Sequence, residues 1–183
     1  MGMLRKVLID KDRIQARITE MASDIDFYYS RQDWYRHSEE PVIVIGVLTG
    51  AIFFMADLVR QLSIRTELDF IRVSTYQGKS ITAQEPKITL WPKRNLHDSA
   101  HVLLIDDILD TGKTLGFIED HILWECPLSM KTAVLLRKPG KAKNIETVDF
   151  VGFDIPDEFV VGMGLDYNDL YRNLPYVSVL SDN

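Results

Sequence analysis

The chain has 183 residues, 46% of them hydrophobic, which is enough to bury a substantial core near the upper end of the usual single-domain size; one domain over residues 1–183 is expected. A formal net charge of -6 argues against a phosphate backbone as the main partner, because nonspecific nucleic-acid affinity comes from clustered Lys and Arg. Cys126 is the only cysteine, so no intrachain disulfide and no C-x-x-C zinc or redox pair can form; no apolar run approaches the roughly 20 residues that span a bilayer, and Met1 to Lys6 lack an apolar signal core. A cytoplasmic protein with no membrane partner is expected.

From Asp10 to Ile25, the apolar residues Ile14, Ile18, Met21, Ala22 and Ile25 recur at helical spacing among charged ones and predict an amphipathic helix. The aromatic stretch Phe27, Tyr28, Tyr29, Trp34 and Tyr35 either continues that helix or makes a second one, and its rings should face a partner element or subunit. After the breaker Ser38-Glu39-Glu40-Pro41, the run Val42 to Val47 reads as a strand buried on both faces. A helix from about Ala51 to Leu62, a strand over Leu68–Val73 and a polar, Gly-containing loop from Thr75 to Lys87 follow, with Lys87–Trp91 able to complete a hairpin. His101–Ile105 is a second fully apolar strand, Thr114–Trp124 a helix and Ala133–Leu136 a third such strand; Val148–Gly152 and Phe159–Gly162 are short later ones. Strands alternating with helices imply an α/β fold with a parallel-centred sheet covered on both faces.

In open α/β sheets ligands bind beyond the carboxyl ends of the strands. After Ile105 come Asp106-Asp107-Ile108-Leu109-Asp110-Thr111-Gly112-Lys113-Thr114. The turn amides, the hydroxyls of Thr111 and Thr114 and the start of the next helix form a cradle for a phosphate dianion. Asp106 and Asp107 can accept hydrogen bonds from sugar hydroxyls or hold the waters of a Mg²⁺ ion. Gly112-Lys113-Thr114 is not the end of a P-loop, because that pattern needs glycine where Asp107 stands.

The segment Val102 to Leu115, four apolar residues, two acids, two apolar residues and Asp-Thr-Gly-x-Thr, resembles the phosphoribosyl-pyrophosphate signature of type I phosphoribosyltransferases. The run Asp149 to Gly162, with Leu165-Asp166-Tyr167, is similar to the C-terminal half of the hypoxanthine-guanine phosphoribosyltransferases. Val47-Leu48-Thr49-Gly50-Ala51 resembles that family's pyrophosphate loop, and Ser74-Thr75-Tyr76 the tip of its closing loop. The resemblance implies a parallel-centred sheet flanked by helices, with a small hood from N- and C-terminal segments. It further implies purine salvage: transfer of the 5-phosphoribosyl group from phosphoribosyl pyrophosphate to hypoxanthine, guanine or both, with Mg²⁺ as cofactor, in a homo-oligomer that is a dimer or tetramer.

By the same resemblance, Asp110 takes the proton that the purine loses, and Thr111, Gly112, Lys113 and Thr114 hold the 5′-phosphate. Asp106 and Asp107 meet the ribose hydroxyls directly or through a Mg²⁺ shell, and Asp166 is a ligand of a second Mg²⁺ that carries pyrophosphate. Leu48, Thr49 and Gly50 present amides to pyrophosphate, in a loop whose peptide is cis in some family members; many of these carry Lys where Thr49 stands, so a charge contact is missing here. Arg172 reaches pyrophosphate, while Thr75 and Tyr76 belong to the loop that closes over the site. Phe159 stacks on the purine, the carbonyls of Val160 and Leu165 accept from its edge, and Lys138 donates to its 6-oxygen, with Arg137 and Lys141 as alternatives for that donor. Two rival readings remain: a regulator that keeps the fold without catalysis, disfavoured by the retention of Asp110, Asp166 and Phe159, and a transferase acting on xanthine or adenine.

Overall fold

A computed structural model describes residues 3–74, 86–98, 100–142 and 148–181. The strands β1 (Met3–Ile9), β2 (Val42–Leu48), β3 (Thr66–Ser74), β4 (Lys87–Leu90), β5 (His101–Leu109), β6 (Ser129–Arg137), β7 (Phe150–Asp154), β8 (Val160–Val161) and β9 (Val177–Ser181) form two sheets. Four helices, α1 (Lys11–Ser30), α2 (Asp33–His37), α3 (Ile52–Val59) and α4 (Lys113–Trp124), complete the described elements. The larger sheet has the order β4-β3-β2-β5-β6-β7, parallel except for β4 at one edge.

The central strands are apolar throughout because each feeds two cores. Val42, Val44, Leu103 and Ile105 point to one face, where they meet Ile14, Ile18, Phe54 and Leu58 of α1 and α3. Ile43, Ile45, Val102 and Leu104 point to the other, against Ile118 and Ile122 of α4. This period-two partition is the pleat expressed in a sheet with no solvent face.

Helix α1 starts where the sequence predicts, with the Asp10 carboxylate accepting from the Arg13 amide at 2.9 Å as N-cap. It runs five residues beyond Ile25, because the aromatic stretch joins it: Tyr29 is wholly buried and its hydroxyl donates to the Val102 carbonyl at 3.3 Å. Tyr28, Trp34 and Tyr35 also pack against the core, Trp34 stacking on the His101 ring with centroids 3.4 Å apart, whereas Phe27 is exposed. Arg17 of α1 donates to the carbonyls of Val151 and Gly152, which β7 leaves open as an edge strand.

Several boundaries differ from the sequence reading; β3 and β6 extend beyond Leu68–Val73 and Ala133–Leu136, β7 is shifted to Phe150–Asp154, and β5, α3 and the strand over Phe159–Gly162 differ as well. Strand β5 continues four residues past Ile105 and pairs with β6 as far as Leu109 with Arg137, so Asp106 and Asp107 are strand residues, not loop residues. Helix α3 ends at Val59 instead of Leu62. The strand expected over Phe159–Gly162 shrinks to β8 and leaves the main sheet, since Pro156 after Ile155 cannot donate to a ladder.

Strand β8 pairs with β9, and β9 with β1, in a three-stranded antiparallel sheet that forms the hood. Neither terminal strand is visible in the sequence as read above. In β1 the ladder slips between Leu4 and Lys6 and again between Val7 and Ile9, and each irregularity erases the alternation that marks a strand. Strand β4 returns antiparallel to β3 as a hairpin partner, while Thr75 and Tyr76 lie outside the described residues. No described helix is long and apolar enough to cross a membrane.

Ile18 is fully buried between α1 and the sheet. Its replacement by Ala should lower unfolding free energy by about 2–5 kcal/mol, read as a lower urea midpoint at unchanged slope; an unchanged midpoint would refute this packing.

Candidate active site

The carboxyl ends of β2 and β5 open on a cleft of about 300 Å³. Its wall combines Leu48 and Gly50 after β2, the stretch Asp106 to Gly112 with Thr114, and Asp166 and Arg172 from the segment between β8 and β9. A second cleft of about 270 Å³ adjoins it, lined by Ile108, Lys138, Phe159, Val160 and Leu165. The two share Asp107, Ile108, Asp110 and Asp166, so a ligand in one is in reach of a ligand in the other.

The turn into α4 presents backbone to the first cleft. Gly112 precedes α4 at φ +77, a conformation that suits glycine, and no side chain caps the helix. The first-turn amides are therefore left for an anion, which the helix dipole also favours. Thr111 and Thr114 line the cleft, whereas the Lys113 side chain is exposed and stands outside it.

The loop after β2 has a cis peptide between Leu48 and Thr49. Gly50 lies so close to the Asp107 carboxylate that a Cβ there would collide with it. Gly164, at φ +101, presses in turn on the Gly50 carbonyl. The loop is thus clamped between β5 and the hood segment, with its backbone facing the cleft. The Thr49 side chain is exposed and forms no part of the wall.

Asp106 is buried, and its carboxylate accepts from the Asp107 amide at 2.9 Å. Burial, reinforced by the charge of Asp107, holds its carboxyl well above the usual range. Burial also raises Asp107, against the opposing pull of hydrogen bonds and the Arg172 guanidinium. An acid pair held this way gains from any ligand that brings hydroxyl donors or positive charge. Asp166 is engaged on both oxygens, by Arg172 at 2.8 Å and by the Asp169 amide at 2.9 Å, and Arg172 also donates to the Gly164 carbonyl at 2.7 Å. Among the described residues no group of three or more His, Cys, Asp or Glu is arranged to hold a metal.

Asp110 stands where the clefts meet. Lys138 donates to its Oδ2 at 2.9 Å, while Lys141 lies 2.9 Å from Oδ1 but off the hydrogen-bond direction, which leaves Oδ1 buried without a hydrogen bond. Burial pushes this carboxyl up, but the two lysines outweigh it and hold it below the usual carboxylate range. Asp157 reaches both lysines, at 3.4 and 2.6 Å. Arg137 is turned aside into a two-point pair with Asp154 at 2.6 and 2.9 Å. Of the three cations left open by the sequence, Lys138 alone lines the second cleft.

Phe159 is half exposed at the rim of that cleft, edge-on to Tyr167, and so is not a core residue. Leu165 offers its carbonyl there, with one lone pair already taken by the Gly162 amide at 3.0 Å. Two participants escaped the sequence reading. Ile108 lines both clefts yet reads as an ordinary strand residue, and Asp157 shows its charge but not its partners, which depend on β6 lying beside β7.

The Phosphoribosyl transferase domain family matches residues 9–168. The hypoxanthine-guanine phosphoribosyltransferase of Bacillus subtilis (strain 168) is 39% identical over 180 residues, 97% of this chain and 93% of that protein. The enzyme of the same name from Aquifex aeolicus (strain VF5) is 39% identical over 181 residues, covering 99% and 97%. A crystal structure of a hypoxanthine-guanine phosphoribosyltransferase from Bacillus anthracis superposes with a TM-score of 0.85 at 34% identity, covering 98% of this chain and 100% of that one. Sequence and fold agree along nearly the whole length, and the chain belongs to the hypoxanthine-guanine phosphoribosyltransferases within the phosphoribosyl transferase family.

Proposed function

We propose that the chain works as one phosphoribosyltransferase domain in purine salvage, moving the 5-phosphoribosyl group of phosphoribosyl pyrophosphate onto hypoxanthine, guanine or both. The observation that carries this reading is the pair of adjoining clefts with the Asp110 carboxylate at their junction, held by Lys138 and Lys141. The products are the purine nucleotide and pyrophosphate. In the reaction the bond from the ribose anomeric carbon to pyrophosphate oxygen breaks with its electron pair leaving on pyrophosphate. The bond from that carbon to a purine ring nitrogen forms, and the opposite ring nitrogen gives its proton to Asp110.

The first cleft suits the donor. The amides of Thr111 to Thr114 hold the 5′-phosphate, the backbone of Leu48, Thr49 and Gly50 faces pyrophosphate, and Asp106 and Asp107 take the ribose hydroxyls. Arg172 meets pyrophosphate by giving up part of its pairing with Asp166. The second cleft suits the base: Phe159 stacks on the ring, the carbonyls of Val160 and Leu165 accept from its edge, and Lys138 donates to the 6-oxygen. Adenine offers an amino group there, so Lys138 would find no acceptor on the base to exchange for Asp110.

The acid set fits Mg²⁺. Asp106 and Asp107 sit together as two hard oxygen donors whose burial holds both carboxyls high, a state that a divalent cation would relieve. Mg²⁺ takes one or two protein carboxylates and completes its shell with water and phosphate oxygens, so Asp106 and Asp107 on one side and Asp166 on the other would suffice. When bound, it supplies positive charge to the departing pyrophosphate. The proposed setting is the cytoplasm, and the proposed assembly is a homodimer or homotetramer, with the exposed Ile52 and Phe53 of α3 available for contact.

With Mg²⁺ and phosphoribosyl pyrophosphate, hypoxanthine or guanine should turn over and adenine should not; Asp110→Asn should lose about 10²–10⁴-fold in kcat, whereas turnover of adenine alone would reject the assignment of Lys138. Stripping divalent cations with a chelator should abolish turnover, and added Mg²⁺ should restore it; full activity in the stripped protein would remove the metal from the scheme.

A further inference from the structure

The turn after β6 carries an arrangement that the roles above leave unused. Lys138-Pro139-Gly140-Lys141 is a β-turn with proline second, glycine third at φ +81 and the Lys141 amide donating to the Lys138 carbonyl at 3.4 Å. It places two lysines at its two ends, and both close on Asp110: Lys138 from inside the purine cleft and Lys141 from outside its wall. Asp157 bridges the two lysines on the far side. Two cations and two anions thus form a neutral cluster. The side chain of Lys138 is only 7% exposed, so it has little water to turn to when it releases Asp110.

From this geometry, and resting on the assignment of Lys138 to the purine 6-oxygen, we infer that Lys141 is a positioning residue. Held by Asp157, it stays on Asp110 as counter-ion while Lys138 transfers from Asp110 to the 6-oxygen. The two lysines divide the work. Lys138 can exchange its acceptor because the carboxylate it leaves is still paired. Lys141, which does not line the cleft, is not displaced when a base enters. Asp157 keeps Lys141 in place from the solvent side at 2.6 Å, and this contact holds the Lys141 ammonium above its ordinary range. The charged groups that face Asp110 are Lys138 and Lys141, with Asp157 behind them. Without Lys141, moving Lys138 to a neutral oxygen would strand a partly buried carboxylate, so binding of a 6-oxopurine weakens while contacts to the rest of the ligand do not change.

The test compares two nucleotides on the full chain by calorimetry: inosine 5′-monophosphate, which has the 6-oxygen, and purine riboside 5′-monophosphate, which has hydrogen there. Lys141→Gln should weaken the first by about two- to fivefold, the range open to a partly exposed ion pair, and leave the second unchanged. Lys141→Arg, which keeps the charge, should recover most of the loss. Equal weakening of both nucleotides would mark Lys141 as merely structural, and no weakening of either would also overturn the inference. If the unaltered protein binds both nucleotides equally, the assignment of Lys138 fails and takes the inference with it. If it prefers the 6-oxo nucleotide and Lys141→Gln keeps that preference, the inference alone fails.

Discussion

Two adjacent carboxylates at the buried end of β5 are the constraint around which the rest of the site is arranged. A strand that ended at Ile105 would leave Asp106 and Asp107 in a loop where water could screen them. The ladder with β6 instead carries both acids into the sheet, and burial raises both carboxyls. The surroundings are shaped to this pair. Gly50 has no Cβ because the Asp107 carboxylate occupies that space, Gly164 fits over Gly50 for the same reason, and Arg172 supplies the nearest positive field. A cleft so acidic is unsuited to an anion on its own, yet it opens on an uncapped helix N-terminus that favours one. A ligand that brings hydroxyls to the acids and phosphate to the amides would satisfy both features together.

The architecture explains how residues far apart in sequence converge. Parallel strands β2, β5 and β6 end on the same side, so the loops after Leu48, Leu109 and Arg137 all reach one place. The chain then leaves the sheet at Pro156 and pairs its later strands with its first one. This hood brings Phe159, Val160, Leu165 and Asp166 over the strand ends from the opposite side. Neither sheet alone forms the second cleft, because its wall combines β5 and the turn after β6 with the segment around β8.

Much of this was legible in the residues. The apolar runs Val42–Val47 and His101–Ile105 announced doubly buried strands, and Asp110 through Thr114 announced the tight turn into α4, because these signals are local. The hood strands were hidden by irregular pairing in β1 and by the brevity of β8, which holds two residues. The extension of β5 was hidden by its composition, since aspartate is an unusual strand residue and only the partner strand β6 accounts for it. The choice among Arg137, Lys138 and Lys141 depended on long-range partners. Asp154 removes the first and Asp157 anchors the third, and neither pairing could be assigned from spacing within the turn.

Pairing Lys138 with Asp110 also bears on how a 6-oxopurine is distinguished. A lysine waiting unpaired in a cleft would carry a large desolvation penalty, and a carboxylate without a cation there would be driven towards protonation. Held together, the lysine keeps the carboxylate charged until a base arrives. On the proposed assignment, a ligand that offers an oxygen acceptor can replace the carboxylate as partner of Lys138, and Asp110, still paired with Lys141, takes the ring proton. A ligand that offers an amino group cannot, and it leaves the ion pair closed across the path to the base. On that assignment, selection of the base and release of the proton acceptor become one event, governed by which acceptor Lys138 can exchange for Asp110.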